Sequence, residues 1–173
     1  LSYYAPHVLV MSKSAETNNG KITYFNTLND QYAWYRKLVL QIGNNEQTVK
    51  EKTAEIINGL TKEEDKVKAL FQWVQDNIRY IAFENGIAGF RPEKAQEVLQ
   101  KKYGDCKGMA NLLTEMLRSA GLDARKCWIG TRDVAYDYST PSLVVDNHMI
   151  SAWMNNGTPL YLDATEQYIG MGE

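Results

Sequence analysis

A cysteine, a histidine and an aspartate, in that order, are the residues of this chain that could together act on a carbonyl carbon. Cys106 stands in the stretch 101–121, KKYGDCKGMANLLTEMLRSAG, directly after Gly104 and Asp105. Asp105 reads as a helix N-cap, which puts Cys106 in the first helical turn. The unpaired N–H groups and the positive end of the helix dipole favour an anion there, so a thiol in that place tends toward the thiolate that attacks carbonyls. The same residue also reads as a small buried hydrophobe, the common fate of a free cysteine. His148 and Asp163 follow downstream. A histidine with a carboxylate partner has a fixed tautomer and a stabilised cation, which is what a base serving a nucleophile requires.

The elements that must position these groups have their own signals. Met109, Leu112, Leu113, Met116, Leu117 and Ala120 recur at helical spacing, so one stripe of the cysteine helix faces a core. Gly121 ends it as a left-handed cap. The pattern then becomes extended: a strand over 124–131, a second over 144–154 and a third over 158–165. Asn156-Gly157 between the last two is a strong hairpin signal. With those two as the turn, Asn155 faces Thr158, Ile150 faces Asp163 and His148 faces Thr165. His148 and Asp163 then share a sheet face as diagonal neighbours, about 7–8 Å apart at the backbone, within reach of an imidazole–carboxylate hydrogen bond. A bulged turn would shift the register by one and undo the pairing. The bland alternative is a hydrogen-bonded pair that only satisfies a half-buried histidine.

Three helices precede this region. The spacing predicts one over 29–42, with Tyr35, Leu38, Val39 and Ile42 on one face and Gly43 as its stop, and another over 46–57. A third begins at Thr61 with a Thr61/Glu64 capping box and buries Val67, Leu70, Phe71, Val74 and Ile78. Its charged cluster 62–66 is a solvated face. Residues 79–83 read as extended and 84–89 as a loop. A short helix follows, with Pro92 at its first position and its end near Lys101. Upstream, Tyr3, Tyr4 and Val8 to Val10 could form a short strand, and 12–20 is polar and loop-like. His7 reads as incidental. Tyr32, Trp34 and Tyr35 fit a local core better than a docking face. Helices first and an antiparallel sheet after the cysteine helix make the fold class α+β.

Composition narrows the functions. The chain has 173 residues and a formal charge of −2. With a pI near 5.8 it offers no electrostatic case for nucleic acid or an anionic membrane. No apolar run is long enough to span a bilayer. The chain starts at Leu1 with no signal-peptide pattern, so it reads as a piece of a longer protein with flanking domains. The division expected is an N-terminal extension over 1–60, which could dock to a neighbouring domain, and a catalytic core over 61–173. Two cysteines make no disulfide framework, and the interval from Cys106 to Cys127 matches no zinc pattern. Cys127 reads as a core residue of the first strand; a disulfide with Cys106, which would silence the site, is the alternative. No metal or cofactor is expected.

Together, Tyr103-Gly-Asp-Cys106-Lys-Gly-Met-Ala110, the Ala-Gly-Leu-Asp-Ala-Arg turn at 120–125, Asp146-Asn-His148 and Leu162-Asp163-Ala-Thr165 resemble the transglutaminase-like superfamily. Arg79-Tyr80 and Pro92 through Val98-Leu99 also fit, and the resemblance covers about 63–165. It is closest to bacterial members that follow a β-rich domain in longer, often exported proteins, which implies an exported or periplasmic setting. It implies a papain-like core with Cys106 as nucleophile, His148 as general base and acid, and Asp163 as orienter. It also implies an aromatic oxyanion donor upstream. Tyr80 is the residue that would serve, where the animal cross-linking enzymes use tryptophan; a core tyrosine is the alternative. The reaction implied is attack on a carboxamide or peptide carbonyl of a protein or peptide substrate through an acyl-enzyme. Peptidase- or amidase-like hydrolysis is favoured over transglutaminase-type transfer, because nothing marks an acceptor-amine site and the calcium-binding regions of the animal enzymes are not evident. A non-catalytic peptide-binding module on the same fold is the remaining alternative.

Overall fold

The β-hairpin fixes the register of everything near the candidate histidine and aspartate. In the computed structural model, which describes residues 6–132, 134 and 136–172, Asn156 and Gly157 adopt φ of 49° and 86°. Two left-handed residues in succession make the tight turn whose twist matches a hairpin. The strands it joins are β6 (His148–Asn155) and β7 (Thr158–Leu162); strands β1–β5 and helices α1–α5, numbered in chain order, are given below. Asn155 pairs with Thr158 and Ser151 with Leu162, the register that the two-residue turn predicts.

The chain falls into two compact units. One comprises 1–41 and 128–148, described from residue 6, and the other 42–127 and 149–173. In the first, β1 (Ser14–Thr17) and β2 (Gly20–Thr23) form an antiparallel hairpin where the polar composition predicts only loop. Both strands are polar and largely open to solvent, so no apolar alternation betrays them. Val8 to Val10 form no strand, and Tyr3 and Tyr4 lie outside the described residues. Helix α1 (Leu28–Leu40) opens with a reciprocal capping box: Asp30 N–H donates to Thr27 Oγ1 at 3.2 Å, and Thr27 N–H donates to Asp30 at 2.9 Å. Trp34 packs edge-on against Phe25 and Tyr35 against Trp128, with ring centroids 5.7 and 5.5 Å apart. Two of the three aromatic side chains of α1 thus serve a local cluster, while Tyr32 stays exposed.

In the second unit, α2 (Glu46–Ile56), α3 (Glu63–Asn77) and α4 (Ala95–Lys101) surround α5 (Cys106–Ser119). The core is Val49 of α2, then Val67, Leu70, Phe71 and Val74 of α3, against Met109, Leu112, Leu113, Met116 and Leu117 of α5. Those of α3 and α5 lie on the stripes that helical spacing predicts. Two helix starts differ from the expectation. The N-cap of α3 is Lys62 with no side-chain bond, so Thr61 and Glu64 form no capping box; the three acidic residues of the first turn meet the dipole instead. Helix α4 starts at Ala95, not Pro92, because Asn44 Oδ1 accepts the Ala95 N–H at 2.9 Å and supplies the cap from a distance.

Short strands β3 (Arg79–Tyr80) and β4 (Tyr103–Gly104) pair in parallel. Strand β5 (Ala124–Ile129) leads into the three-stranded sheet of order β5-β6-β7. Strand β5 stops at Ile129 and β6 starts at His148, both shorter than the alternation predicts. Residues 144–147 hold to the end of β5 by other means: Asn147 N–H donates to Ile129 O at 3.0 Å, and its side chain trades two 2.8 Å hydrogen bonds with Thr131. The sheet packs on α5 through Ser151, whose buried hydroxyl donates to Ala110 O at 2.9 Å and lies 3.0 Å from Thr114 Oγ1. A cysteine helix on an antiparallel sheet, with further helices before it, is the α+β arrangement expected. Cys106 and Cys127 are both free thiols.

One buried group in the first unit carries a prediction. Asp146 Oδ1 is buried with no hydrogen-bond partner among the described residues, and burial pushes its carboxyl above the ordinary 3.8. A folded value above the unfolded one means that the fold favours the protonated form. That contribution is present below the unfolded value and is lost as pH rises through the folded one. Asp146→Asn is therefore expected to stabilise the protein by about 1 kcal/mol at neutral pH and to do nothing near pH 3. Urea unfolding across that range checks it, and an equal gain at both ends would refute the cause given.

Candidate active site

Cys106 is the first residue of α5, and the chain just before it explains its place. Lys102 closes α4 in a left-handed conformation, φ 63°. The two-residue β4 then carries the backbone to Asp105, whose Oδ1 accepts the Gly108 N–H at 2.8 Å as the N-cap. The Met109 N–H goes to the Asp105 carbonyl. The N–H groups of Cys106 and Lys107 come before the first intrahelical hydrogen bond. They are the orphan donors that every helix start presents. Cys106 itself is 2% exposed.

Tyr80 is brought beside this helix start by the parallel ladder. It pairs with Gly104, Arg79 N–H donates to Lys102 O, and Ile81 N–H donates to Gly104 O. Its phenol is held above its ordinary value by partial burial first, then by the nearby Cys106, Glu84 and Asp105, with Lys107 opposing. Tyr80 is 44% exposed, so it is a surface group beside the start of α5 and not the core tyrosine of the alternative reading. The hydroxyl keeps its proton and can donate.

Asp163 directly follows β7. Its Oδ1 accepts two hydrogen bonds from Thr165, from the backbone at 3.0 Å and from Oγ1 at 2.7 Å, which fixes the carboxylate against rotation. His148 is half-buried and opens β6. The printed pairing of β6 with β7 runs from Ser151–Leu162 to Asn155–Thr158, and neither His148 nor Asp163 is part of it.

Lys107 is the feature that sequence reasoning missed. It is 1% exposed, next to Cys106, with its ammonium 2.6 Å from Asp105 Oδ2 and 2.9 Å from Glu84 Oε1. Burial alone would lower its pKa; the hydrogen bonds to Asp105 and Glu84 outweigh that and hold it above the ordinary 10.5. One side chain thus links the N-cap, the helix start and the 82–85 segment that precedes the 3₁₀ turn Gly86–Gly89. A lysine in the first turn runs against the helix dipole, and that oddity was the signal available. Behind it, buried Asn111 trades hydrogen bonds with Asn44 and donates to Glu93 O, clamping α5 to the start of α4. Among the described residues, no three His, Cys, Asp or Glu side chains converge to hold a metal ion. No described helix is long and apolar enough to cross a membrane.

Comparison with known proteins places this arrangement. A family model described as the transglutaminase-like superfamily matches residues 50–159, more than half of the chain. Among solved structures, a candidate protease from Parabacteroides distasonis aligns over 91% of this chain with a TM-score of 0.66 and 17% identity. A candidate cysteine protease from Cytophaga hutchinsonii aligns over 75% with a TM-score of 0.57 and 17% identity. The aligned part is 31% of the first protein and 41% of the second. No curated protein matches the sequence.

Proposed function

The chain belongs to the transglutaminase-like superfamily, and from that premise we propose that it is a cysteine-dependent enzyme acting on a carboxamide or peptide carbonyl of a protein or peptide. The observation that carries the proposal is the placement of Cys106 as the first residue of a buried helix, directly after its Asp105 cap, with Tyr80 on the adjoining ladder. Both solved relatives are described as candidate proteases, which favours hydrolysis over transfer.

In this reading Cys106 Sγ attacks the carbonyl carbon. The Cys106 N–H and the Tyr80 hydroxyl donate to the developing oxyanion. His148 takes the thiol proton and passes it to the leaving amine, which departs as the acyl-enzyme forms. Water then attacks the thioester while His148 takes its proton, and the acid leaves with the thiol restored. Asp163, locked by Thr165, orients the imidazole.

The test is the rate of Cys106 alkylation against pH in the wild type and in His148→Ala. A thiol reacting well below its usual pKa of about 8.5, with that shift lost in the variant, is expected. Ordinary titration in both would favour a peptide-binding module on the same fold. Incubation with a glutamine peptide and a labelled amine separates the two chemistries: hydrolysis is expected to dominate, and amine incorporation outrunning it would make the protein a transferase.

A further inference from the structure

A cavity of about 420 Å³ lies within the second unit and has Tyr80 in its wall. Its walls are the end of α3, strand β3, Lys102 and the turn that follows β7. Two of its lining residues already belong to the candidate site. Tyr80 stands beside Cys106 in the electrostatics given above, and Thr165 holds Asp163. The wall is built: Gln75 Nε2 donates to the carbonyls of Glu166 and Ile169 at 2.7 and 3.0 Å, fastening the turn after β7 to α3.

The charges in this cavity are unbalanced. Arg79 and Lys102 face one acidic group, Asp76. None of the three makes an ion pair among the described residues. Their backbones are joined by the Arg79 N–H to Lys102 carbonyl bond. Lys52, itself paired with Glu55 at 2.7 Å, lies near Lys102: its ammonium and that of Lys102 both lie over the Trp73 ring, 5.4 and 4.6 Å from its centroid. Partial burial first, and then Lys52, push the Lys102 amine below its ordinary value, with Glu55 opposing. Arg79 offers a planar fork suited to two carboxylate oxygens, and Lys102 adds a point charge.

We propose that this cavity is a substrate subsite that takes a carboxylate of the peptide, placed beside the bond presented to Cys106. The placement of the bond rests on the function proposed above; the carboxylate site does not. The carboxylate could be a glutamate side chain or a free C-terminus, and the probes separate these.

The experiment uses the full chain with Cys106→Ala, which binds without reacting. Tetra-alanine peptides with a single glutamate walked through the sequence are compared with their glutamine counterparts. A second pair differs only in a C-terminal acid or amide. Binding is read by amide chemical shifts of Arg79, Lys102 and Thr165. One acid is expected to bind about tenfold more tightly than its amide and to move those signals, and the pair that does so identifies the source. Arg79→Gln and Lys102→Gln, both at exposed positions, should each erase most of the preference, and added salt should weaken it. Equal binding of acid and amide, no binding of either up to millimolar peptide, or a preference that survives both substitutions overturns the inference. Ordinary Cys106 titration in the wild type alongside an intact carboxylate preference would remove the nucleophile and keep the subsite.

Discussion

Cys106→Ala is expected to lower peptide or carboxamide turnover by about 10⁴-fold or more, the scale on which enzymes lose a covalent nucleophile. The fold should survive. Cys106 sits at the helix start, so the substitution removes one sulfur from a tight place and costs about 1 kcal/mol. Asp105 still caps the helix, and the stripe from Met109 to Leu117 is untouched. Turnover and urea unfolding, measured on the same preparation, separate chemistry from collapse. Turnover that persisted at the wild-type level with an unchanged unfolding midpoint would take the reaction away from this thiol, and the family membership would then describe a scaffold only.

Lys107→Met should be the most damaging substitution for stability. The methylene stem is replaced in kind, so packing changes little, but the Asp105 carboxylate, 8% exposed, loses the ammonium 2.6 Å away. Breaking a buried pair by removing one member costs about 3–5 kcal/mol, because the remaining charge is stranded. Asp105→Asn combined with Lys107→Met should recover a large part of that loss, since nothing charged is then left behind. The pH dependence has a definite sign. The folded pKa of Lys107 lies above the unfolded 10.5, so its contribution is fully present below 10.5 and fades as pH rises through the folded value. The gap between wild type and Lys107→Met should therefore be flat through neutral pH and narrow only in strong alkali. A gap that closed near neutral pH would mean that the lysine is not held as an ammonium.

What could be read from the sequence and what could not divide along a physical line. Helix α5, its Asp105 cap, the Gly121 stop and the β6–β7 register were legible because each is set by residues within a few positions of one another. Gly121 does take a left-handed φ of 84°. The hairpin register needed only Asn156 and Gly157. Lys107 was not legible in the same way, since Glu84 lies 23 residues upstream and nothing local marks the pair. The start of α4 was misread at Pro92 for the same reason: Asn44, which caps Ala95, lies 51 positions away. The β1–β2 hairpin was missed because its exposed strands carry no apolar alternation for a core to select. Tyr80 stood between these cases. Its position before the cysteine helix could be named from the family pattern, but its place beside Gly104 depends on a parallel pairing that spacing alone does not announce.

That parallel pairing has a kinetic meaning. Cys106 rides on a helix whose opposite stripe is buried in the core, so moving it requires disrupting α5 as a whole. Tyr80 hangs on a ladder of two residues, with only the N–H groups of Arg79 and Ile81 securing it from this side. Segments with few backbone bonds and exposed side chains open locally at small free-energy cost. The thiol is the fixed reference of the site and the phenol its adjustable wall. In amide exchange the N–H groups of Arg79 and Ile81 would trade with solvent long before those of Leu112 and Leu113, and a ligand seated against Tyr80 would slow them first.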